Sequence, residues 1–332
     1  MNNISQTDEN NFDNQASDVR NTVNAAMCEE FISITDTNKD LAMMILQQNK
    51  WDLQQALNAY FNEQYTKFEV QSSNEKRDFK LLSWNIDGLD IYGLELRTQG
   101  IIDVIKKEKP DAVFLQEVIP DSLHKFQTCL PEYNVFAGNF VNYFVVILTS
   151  HETLKVHNFE LIPYPGTRMG RNLLIVHTTY KNSIDIDLMT THHESGTEEL
   201  SSNERMEQLK LCFKRMVDTP TDRVVLFGGD LNMRQKELYQ VGNIPSGIHD
   251  LWLSNGKPPN CEYTWDMHLN TNKSFPSASR SRARFDRLYF RPSNNSNIKF
   301  QPVNFELKGL DMIPSIQRFC SDHWAIQVSF NV

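Results

Sequence analysis

Short apolar runs alternate with amphipathic stretches from residue 79 onwards, and this alternation predicts the secondary structure. Eight runs predict strands: Lys80–Trp84, Ala112–Gln116, Tyr143–Leu148, Asn172–Tyr180, Ile184–Thr191, Val224–Gly229, Arg284–Phe290 and Trp324–Phe330. Three stretches between them predict helices: Leu94–Lys107, Pro120–Leu130 and Leu200–Val217. Strands that alternate with helices in this way are typical of a layered α/β domain.

The first 78 residues follow a different pattern and divide into three parts. Residues 1–22 are polar with almost nothing to bury, so we expect them to be disordered. Residues 23–66 hold three short amphipathic stretches, with Asp40 and Asp52 where helix N-caps belong, which predicts a small three-helix domain. Residues 67–78 predict a polar linker, and residues 79–332 the α/β domain.

The composition favours a soluble, intracellular protein with no membrane partner. No apolar run approaches the roughly 20 residues that cross a bilayer, and the polar, acidic N-terminus lacks the layout of a signal peptide. The five cysteines are scattered and never form a CxxC pair, which argues against a disulfide framework or a zinc site. The net charge of −9 argues against a simple basic coat for nucleic acid.

Polar signatures stand at the ends of the predicted strands. Four strands are followed by Asn85, Gln116-Glu117, His192-His193-Glu194 and Asp230-Leu231-Asn232, and two begin at Phe285-Asp286 and Ser321-Asp322-His323. In a mixed sheet, the end of one strand and the start of its antiparallel neighbour lie at the same edge. A single signature of this kind is usually a turn, but six together predict one loop-borne site.

The carboxylates in these signatures suit metal-assisted phosphoryl chemistry. Glu117 and Asp87 offer the hard oxygen ligands by which Mg²⁺ is usually held beside a substrate phosphate. Asp230 is placed to orient or deprotonate an attacking water, with Asn232 beside it to fix the geometry.

The remaining polar residues could bind the phosphate as negative charge grows on it. Asn85, His192 and His323 are donors for the non-bridging oxygens, and a carboxylate such as Asp286 would keep His323 cationic. Cys320 is an alternative thiol nucleophile, but no Cys/His or Ser/His/Asp order fits as well. Direct attack by water is therefore favoured.

The ordered signatures resemble those of the endonuclease/exonuclease/phosphatase superfamily, which includes DNase I. The resemblance covers residues 79–332 and implies an α/β four-layer sandwich, two mixed β-sheets flanked by helices. Trp51-Asp52-Leu53-Gln54-Gln55-Ala56-Leu57-Asn58-Ala59-Tyr60-Phe61 resembles the last helix of a UBA-like domain, which implies ubiquitin or ubiquitinated proteins as partners. A helical spacer with no ligand remains the alternative for that segment.

Within the superfamily, the segments SWNIDGLD, LQEV, THHES, GDLNMR, YTWD and SDHWAI are similar to those of the 5′-tyrosyl-DNA phosphodiesterases. The resemblance implies hydrolysis of the bond between a topoisomerase II tyrosine and a DNA 5′ phosphate, which leaves a 5′-phosphate end for double-strand-break repair. Mg²⁺ would be the cofactor, with Mn²⁺ as a substitute. The implied partners are DNA 5′ ends carrying tyrosyl or topoisomerase II adducts, and the implied location is the nucleus, with the cytoplasm second.

The resemblance also implies roles for individual positions. Asp87 and Glu117 match metal ligands, Asp230 matches the catalytic aspartate, and Asn85, His192 and His323 match phosphate binders, with Asn232 and Asp286 completing the catalytic set. The positions expected to receive the DNA end are Gly88, Leu89, Glu194, Ser195, Met233, Arg234, Trp265, Phe285 and Asp322. Trp265 and Phe285 offer rings on which a terminal base could stack, although core packing would explain them too. His193 departs from the aliphatic residue of relatives, and Glu198 and Glu199 make the following loop less positive.

Other functions remain open from the sequence. Within the superfamily they are an AP endonuclease, an inositol polyphosphate phosphatase, a sphingomyelinase or a poly(A) nuclease. Outside enzymology, the chain could be an adaptor that recruits ubiquitinated adducts to DNA ends. The intact set of Asn85, Glu117, Asp230, Asp286 and His323 argues against a domain without activity.

Overall fold

The computed structural model describes residues 23–35, 37–57, 59, 78–273 and 281–332. The chain divides into two compact units, Met1–Arg77 and Asp78–Val332. The tail predicted at residues 1–22 and nearly all of the linker predicted at residues 67–78 lie outside the described residues. Over the part of the chain that is described, no helix has the length and apolar character needed to span a bilayer.

Among the described residues of the N-terminal unit there are three helical stretches, as the pattern predicts. They are residues 23–35, α1 (Lys39–Gln48) and residues 53–57 with residue 59. Their buried core consists of Cys28, Phe31, Ala42, Ile45, Leu46 and Ala56. Asp52 caps the third stretch, because its Oδ1 accepts from the backbone N–H of Gln55 at 2.9 Å. Asp40, expected at a cap, lies instead inside the first turn of α1, where its charge favours the helix dipole.

Two six-stranded sheets form the larger unit. The first has the order β13-β16-β1-β2-β4-β3, with β1 Phe79–Asn85, β2 Ala112–Val118, β3 Tyr133–Ala137, β4 Phe144–Ser150, β13 Gln301–Lys308 and β16 Ala325–Asn331. The second has the order β5-β6-β7-β8-β12-β9, with β5 Leu154–Pro163, β6 Asn172–Tyr180, β7 Ile184–His192, β8 Val224–Asp230, β9 His249–Asp250 and β12 Asp286–Arg291.

Helices and two short ribbons complete this unit. The helices are α2 Leu94–Glu108, α3 Pro120–Cys129, α4 Glu199–Asp218, α5 Gln235–Gln240 and α6 Leu251–Ser254, with a 3₁₀ turn at Pro259–Cys261. The ribbons pair β10 (Trp265–Asp266) with β11 (Arg282–Ala283), and β14 (Met312–Ile313) with β15 (Arg318–Phe319).

The sheets are mixed and stacked between helices. β1 runs parallel to β2 and β7 parallel to β8, while the other strand pairs are antiparallel. A central core that includes Phe79, Phe114 and Leu226 joins the inner faces of the sheets. Separate cores lie under α2 and α3 on the first sheet and under α4 on the second. The predicted four-layer sandwich of two mixed β-sheets is therefore confirmed.

The strands that the sequence analysis missed are mainly β3, β5 and β13, which lie at sheet edges or beside them. Along β5, most side chains from Lys155 to Pro163 are at least partly exposed. Only one face of such a strand packs on the core, so no continuous apolar run marks it. By contrast, all seven residues of β8 are buried, and an apolar run predicted that strand almost to its ends.

The strand register brings the polar signatures to one edge. His192 lies opposite Asp230 on β7 and β8, and Asp230 lies opposite Asp286 on β8 and β12. Gly228 and Gly229 allow this close approach, since a Cβ on Gly229 would lie 2.1 Å from the carbonyl oxygen of Thr191.

Candidate active site

Asp230 lies at the centre of the polar cluster. Its carboxylate accepts hydrogen bonds from Asn85 Nδ2 at 3.0 Å and from the backbone N–H of Asn232 at 2.9 Å. Nε2 of His192 lies 3.3 Å away. Burial opposes the charge on Asp230, but His192, His323 and Asn85 outweigh it and hold its pKa far below the ordinary value. Asp230 is therefore a carboxylate with its oxygens aimed at the site.

His323 forms a close pair with Asp286. Its Nδ1 lies 2.8 Å from Asp286 Oδ2, and its Nε2 lies 3.9 Å from Asp230 Oδ2. Burial disfavours the imidazolium, yet the carboxylates of Asp286, Asp322 and Asp230 raise the pKa of His323 well above its ordinary value. The pairing expected between His323 and Asp286 is thus present, and His323 presents a cationic Nε2–H toward the site.

His192 has the opposite charge state because an arginine lies behind it. Nη1 of Arg171 is 2.7 Å from His192 Nδ1, and a guanidinium can only donate, so Nδ1 accepts and Nε2 carries the proton. Burial and the charge of Arg171 lower the pKa of His192 to about 4. His192 is thus a neutral donor, and the acceptor nearest its Nε2–H is Asp230 Oδ2, 3.3 Å away.

The sequence analysis missed Arg171 and Tyr143. Arg171 is buried directly before β6, and its guanidinium carbon lies 4.7 Å from the centre of the Tyr143 ring. The Tyr143 ring in turn lies 6.4 Å from the His192 ring. The sequence contains a signal for the contact between Arg171 and His192: Arg171 directly precedes one predicted strand, and His192 ends the next. The antiparallel pairing of β6 with β7 then brings the two side chains together.

Three carboxylates face one another beside Asp230, namely Glu117, Asp87 and Asp322. Glu117 has a positive φ of 57° and accepts from Asn85 Nδ2 at 3.2 Å. Burial, with the charges of Asp322 and Asp87, raises the pKa of Glu117 to about 7. A hard divalent cation would relieve this repulsion, so the donor set fits a metal ion at Glu117.

Asp87, which is predicted to be a metal ligand, is already close to two positively charged side chains. Its carboxylate pairs with the Lys273 ammonium at 2.8 Å, and a guanidinium nitrogen of Arg97 lies 4.0 Å away. Burial and Asp322 nevertheless raise the pKa of Asp87 to about 6. Lys273 was not predicted, because nothing in its local sequence indicates proximity to Asp87. Metal ligation by Asp87 therefore stays a prediction.

Another group with potential metal ligands, Asp230, Asp286 and His323, has one ligand atom from each within 4.8 Å of the others. His323 is a poor ligand there, because Nδ1 is bonded to Asp286 and the ring is cationic. The positive charge of the His323 imidazolium already offsets part of the negative charge of Asp230 and Asp286. Glu117 therefore suits a hard metal ion better than this group does.

Aromatic side chains form one flank of the site. The rings of Trp265 and Phe285 lie 5.6 Å apart, and the guanidinium of Arg234 lies 5.3 Å from the Phe285 ring. Trp265 Nε1 donates to Asp322 Oδ2 at 3.2 Å. Trp265 and Phe285 are only half-buried, so part of each ring reaches the surface. Asp322 braces this flank and repels negative charge at Glu117.

Two residues expected to contact substrate are turned inward. Glu194 is fully buried, and its carboxylate accepts from Thr167 Oγ1 at 2.9 Å and the Arg168 backbone N–H at 2.8 Å. Met233 is 2% exposed and packs in the core under α4. In the structure both side chains support the loops that follow β7 and β8, and substrate contact by Glu194 and Met233 stays a prediction.

Three other positions that were expected to contact substrate lie at the surface or against the backbone of Glu117. Leu89 is 54% exposed and Ser195 is half-buried, with its hydroxyl 3.4 Å from Met169 Sδ. Gly88 is closely packed, because a Cβ there would lie 2.1 Å from the carbonyl oxygen of Glu117. Gly88 therefore allows the loop after β1 to approach the backbone of Glu117.

A thiol nucleophile at Cys320 is ruled out by its surroundings. The side chain is buried, and burial raises the pKa of its thiol to about 11. The side chain of His193 packs in the interior instead: it is fully buried beside Tyr164 and Cys212, and burial lowers its pKa to about 3. Of the loop acids, Glu198 pairs with Arg168 at 3.5 Å, away from the catalytic residues.

Comparisons with known proteins place the chain in a family. Residues 82–323 match the model of the Endonuclease/Exonuclease/phosphatase family, and residues 25–64 match the model of the UBA-like domain. Tyrosyl-DNA phosphodiesterase 2 from Gallus gallus is 35% identical, covering 92% of this chain and 90% of that protein. The chain belongs to the tyrosyl-DNA phosphodiesterase 2 family. The Homo sapiens member is 32% identical, with 92% of each chain covered.

Solved structures of the family agree with this membership. The Danio rerio TDP2 complexed with single strand DNA product is 36% identical, with a TM-score of 0.73 and coverage of 77% of this chain and 99% of that one. TDP2 from C. elegans is 30% identical, with a TM-score of 0.69 and coverage of 93% and 94%. The chain is accordingly a phosphodiesterase, and a metal-dependent mechanism is consistent with its superfamily.

Proposed function

We propose that this protein is an Mg²⁺-dependent 5′-tyrosyl-DNA phosphodiesterase that removes topoisomerase II tyrosine from DNA 5′ ends. The observation that carries the proposal is the arrangement around Asp230. The carboxylate of Asp230 lies between His192, a neutral donor, and His323, a cationic donor. The carboxyl group of Glu117, whose pKa is raised, lies beside them. Such a site suits hydrolysis of a phosphodiester by water.

Asp230 orients the attacking water in this proposal. Its depressed pKa makes it a lasting hydrogen-bond acceptor, and the Asn85 amide and the Asn232 backbone hold its oxygens in place. The water oxygen forms its bond to phosphorus as the bond to the tyrosine phenolate oxygen breaks, and one water proton ends on the released phenol, while Asp230 holds the water through a hydrogen bond.

His323, His192 and Asn85 stabilise the phosphate oxygens. His323 contributes an N–H with full positive charge, which Asp286 maintains, and His192 contributes a neutral N–H whose tautomer Arg171 fixes. Mg²⁺ bound at Glu117, with Asp87 as the second predicted ligand, would supply further positive charge to offset the phosphate. Mn²⁺ has similar ligand preferences and is expected to substitute.

Trp265, Phe285 and Arg234 make the flank suited to DNA. Stacking on a ring tolerates any base, and a guanidinium near the rings suits a backbone phosphate. The D. rerio relative is complexed with a single strand DNA product, which supports this assignment. The product would be a 5′-phosphate end ready for double-strand-break repair, and nuclear action, with the cytoplasm second, follows from that substrate.

The N-terminal unit is proposed to bind ubiquitin or ubiquitinated proteins. Support comes from the match to the UBA-like domain model and from the three helical stretches around Phe31 and Leu46. Titration of the full-length protein with ubiquitin, followed by amide chemical shifts of the N-terminal residues, tests this. Shifts confined to residues 23–59 are expected, and none at millimolar ubiquitin would leave a spacer.

Competition between substrates tests the catalytic proposal. Purified protein with Mg²⁺ is given a 5′-phosphotyrosyl oligonucleotide, an abasic duplex and an inositol polyphosphate in parallel. Release of tyrosine should be the fastest reaction by at least about 100-fold, as expected for a site with dedicated substrate contacts. Faster turnover of either competitor would overturn the tyrosyl assignment, and inactivity on all three would favour the adaptor.

A further inference from the structure

The catalytic residues lie between two different flanks of the sheet edge. In the second sheet, the order β6-β7-β8-β12 sets Arg171, His192, Asp230 and Phe285 in a row, since each stands at the same end of its strand. Neighbouring strands are about 4.8 Å apart, so three spacings separate Arg171 from Phe285 by roughly 14 Å. The aromatic flank with Phe285 and the flank with Arg171 are therefore on opposite sides of Asp230.

The strands of the first sheet place their polar residues along the same edge, from the aromatic flank to the flank with Arg171. The strand order β16-β1-β2-β4 sets Asp322, Asn85, Glu117 and the loop before β4 in the same direction. That loop, residues 138–143, ends in Tyr143, whose ring lies beside Arg171 and His192. The loop thus belongs to the flank that faces away from Trp265 and Phe285.

Loop 138–143 exposes two large apolar side chains in succession. Phe140 is 70% exposed and Val141 is 61% exposed. The ring of Phe140 makes a loose, tilted contact with the ring of Phe144, with centroids 6.5 Å apart. Adjacent exposed apolar residues beside a site commonly mark a binding surface. The side chain of Met169, another adaptable apolar group, is 37% exposed next to Arg171.

The base of the loop is held in place, so the apolar tip has a defined position. Asn172 Nδ2 donates to the carbonyl of Gly138 at 3.1 Å, and the Gly138 N–H donates to Val145 at 2.8 Å. Arg171 packs on Tyr143 at the other end of the loop. Binding at such a tip costs little ordering of the backbone.

A phosphodiester has two ester arms that diverge from phosphorus. If the nucleoside arm stacks on Trp265 and Phe285, the aryl ester arm points toward the flank with His192 and Arg171. In a protein adduct that arm continues into the peptide on both sides of the tyrosine. We propose that Phe140 and Val141 form a docking surface for apolar residues of this peptide, an inference that rests on the proposed function.

The experiment compares two 5′-adduct oligonucleotides that differ only in the peptide around the tyrosine. One peptide carries leucines on both sides of the tyrosine, and the other carries serines. For the wild-type protein, kcat/KM should be about fivefold higher on the leucine adduct through a lower KM, because apolar burial at Phe140 and Val141 favours it. The Phe140→Ser/Val141→Ser double variant should reduce that ratio to near one.

A matched control replaces another exposed apolar residue far from the site. Val303, which is 52% exposed, lies near the end of β13 opposite to the catalytic edge. Val303→Ser should keep the wild-type ratio. Equal kcat/KM on both adducts in the wild type, or an unchanged ratio in the double variant, would overturn the docking surface alone. Failure of the wild type to hydrolyse either adduct would overturn the proposed function, and the docking surface with it.

Discussion

His323 Nδ1 lies 2.8 Å from Asp286 Oδ2, and this contact holds a buried imidazole in its charged form. Replacement of Asp286 by Asn removes the charge that raises the pKa of His323, whereas burial, which lowers it, remains. The imidazolium is then lost as pH rises through a lower value than in the wild type. We expect Asp286→Asn to lose about 100-fold in rate at pH 8 and to recover part of it at pH 6. The pH–rate profile measures this, and an unshifted alkaline limb would contradict the role of Asp286.

Gly88→Ala should displace Glu117. The new Cβ would lie 2.1 Å from the Glu117 carbonyl oxygen, so the loop after β1 has to move. We expect a loss of about 1–3 kcal/mol in unfolding free energy, as for overpacking, with at least about tenfold lower activity, since small displacements of catalytic groups are costly.

Gly242→Ala is the matched control for that variant. Gly242 has a φ of 100° but nothing within 4 Å of an added Cβ, so it reports backbone strain alone. It should lose stability and keep activity. Equal activity of Gly88→Ala and Gly242→Ala in the same assay would refute the packing argument.

Trp265→Ala should weaken binding of the DNA end. Loss of a stacking ring is expected to raise KM for an oligonucleotide adduct about tenfold and to leave KM for a small aryl phosphodiester without bases much less affected. Trp265→Phe keeps a ring but loses the hydrogen bond from Nε1 to Asp322, so it separates stacking from that brace. Equal losses on both substrates in Trp265→Ala would assign the effect to Asp322 instead.

His177 makes stability depend on pH at a point away from the site. Its Nδ1 lies 2.8 Å from Asp187 and its Nε2 2.9 Å from Glu160. The hydrogen bond to Asp187, against the effect of burial, raises the pKa of His177 in the folded state. This stabilisation is fully present below the unfolded pKa, about 6.5, and is lost as pH rises through the folded value. Urea unfolding should therefore show that His177→Gln costs on the order of 1 kcal/mol at pH 5.5 and less at pH 9, while equal costs at both would contradict the pairing.

The central strands and the convergence of their polar ends could be predicted from the sequence because both depend on local pattern. β8 is buried on both faces and gives an uninterrupted apolar run, whereas β5 packs one face only and gives none. Once the strands of the second sheet are aligned, Asp230 and Asp286 must meet at one edge, and the packing of the two sheets adds Asn85.

Contacts that depend on the path of loops could not be predicted. Lys273 meets Asp87 only through tertiary structure, since it is distant in sequence and lacks a local signature. Met233 directly follows Asn232, and Glu194 lies two residues after His192, but both side chains are buried, Met233 in the core under α4 and Glu194 against Gln208. Adjacency to a catalytic residue therefore did not determine which way a side chain faces.

The most direct test is an Mg²⁺ titration of tyrosine release from a 5′-phosphotyrosyl oligonucleotide by the wild type and Glu117→Gln. The wild type should be inactive without metal, and Glu117→Gln should need about 10- to 100-fold more Mg²⁺ or lose rate by a similar factor. Glu207→Gln, an exposed glutamate on α4 that pairs with Lys210, should behave as the wild type. Full activity of Glu117→Gln at the wild-type Mg²⁺ requirement, or wild-type turnover in excess chelator, would contradict the account.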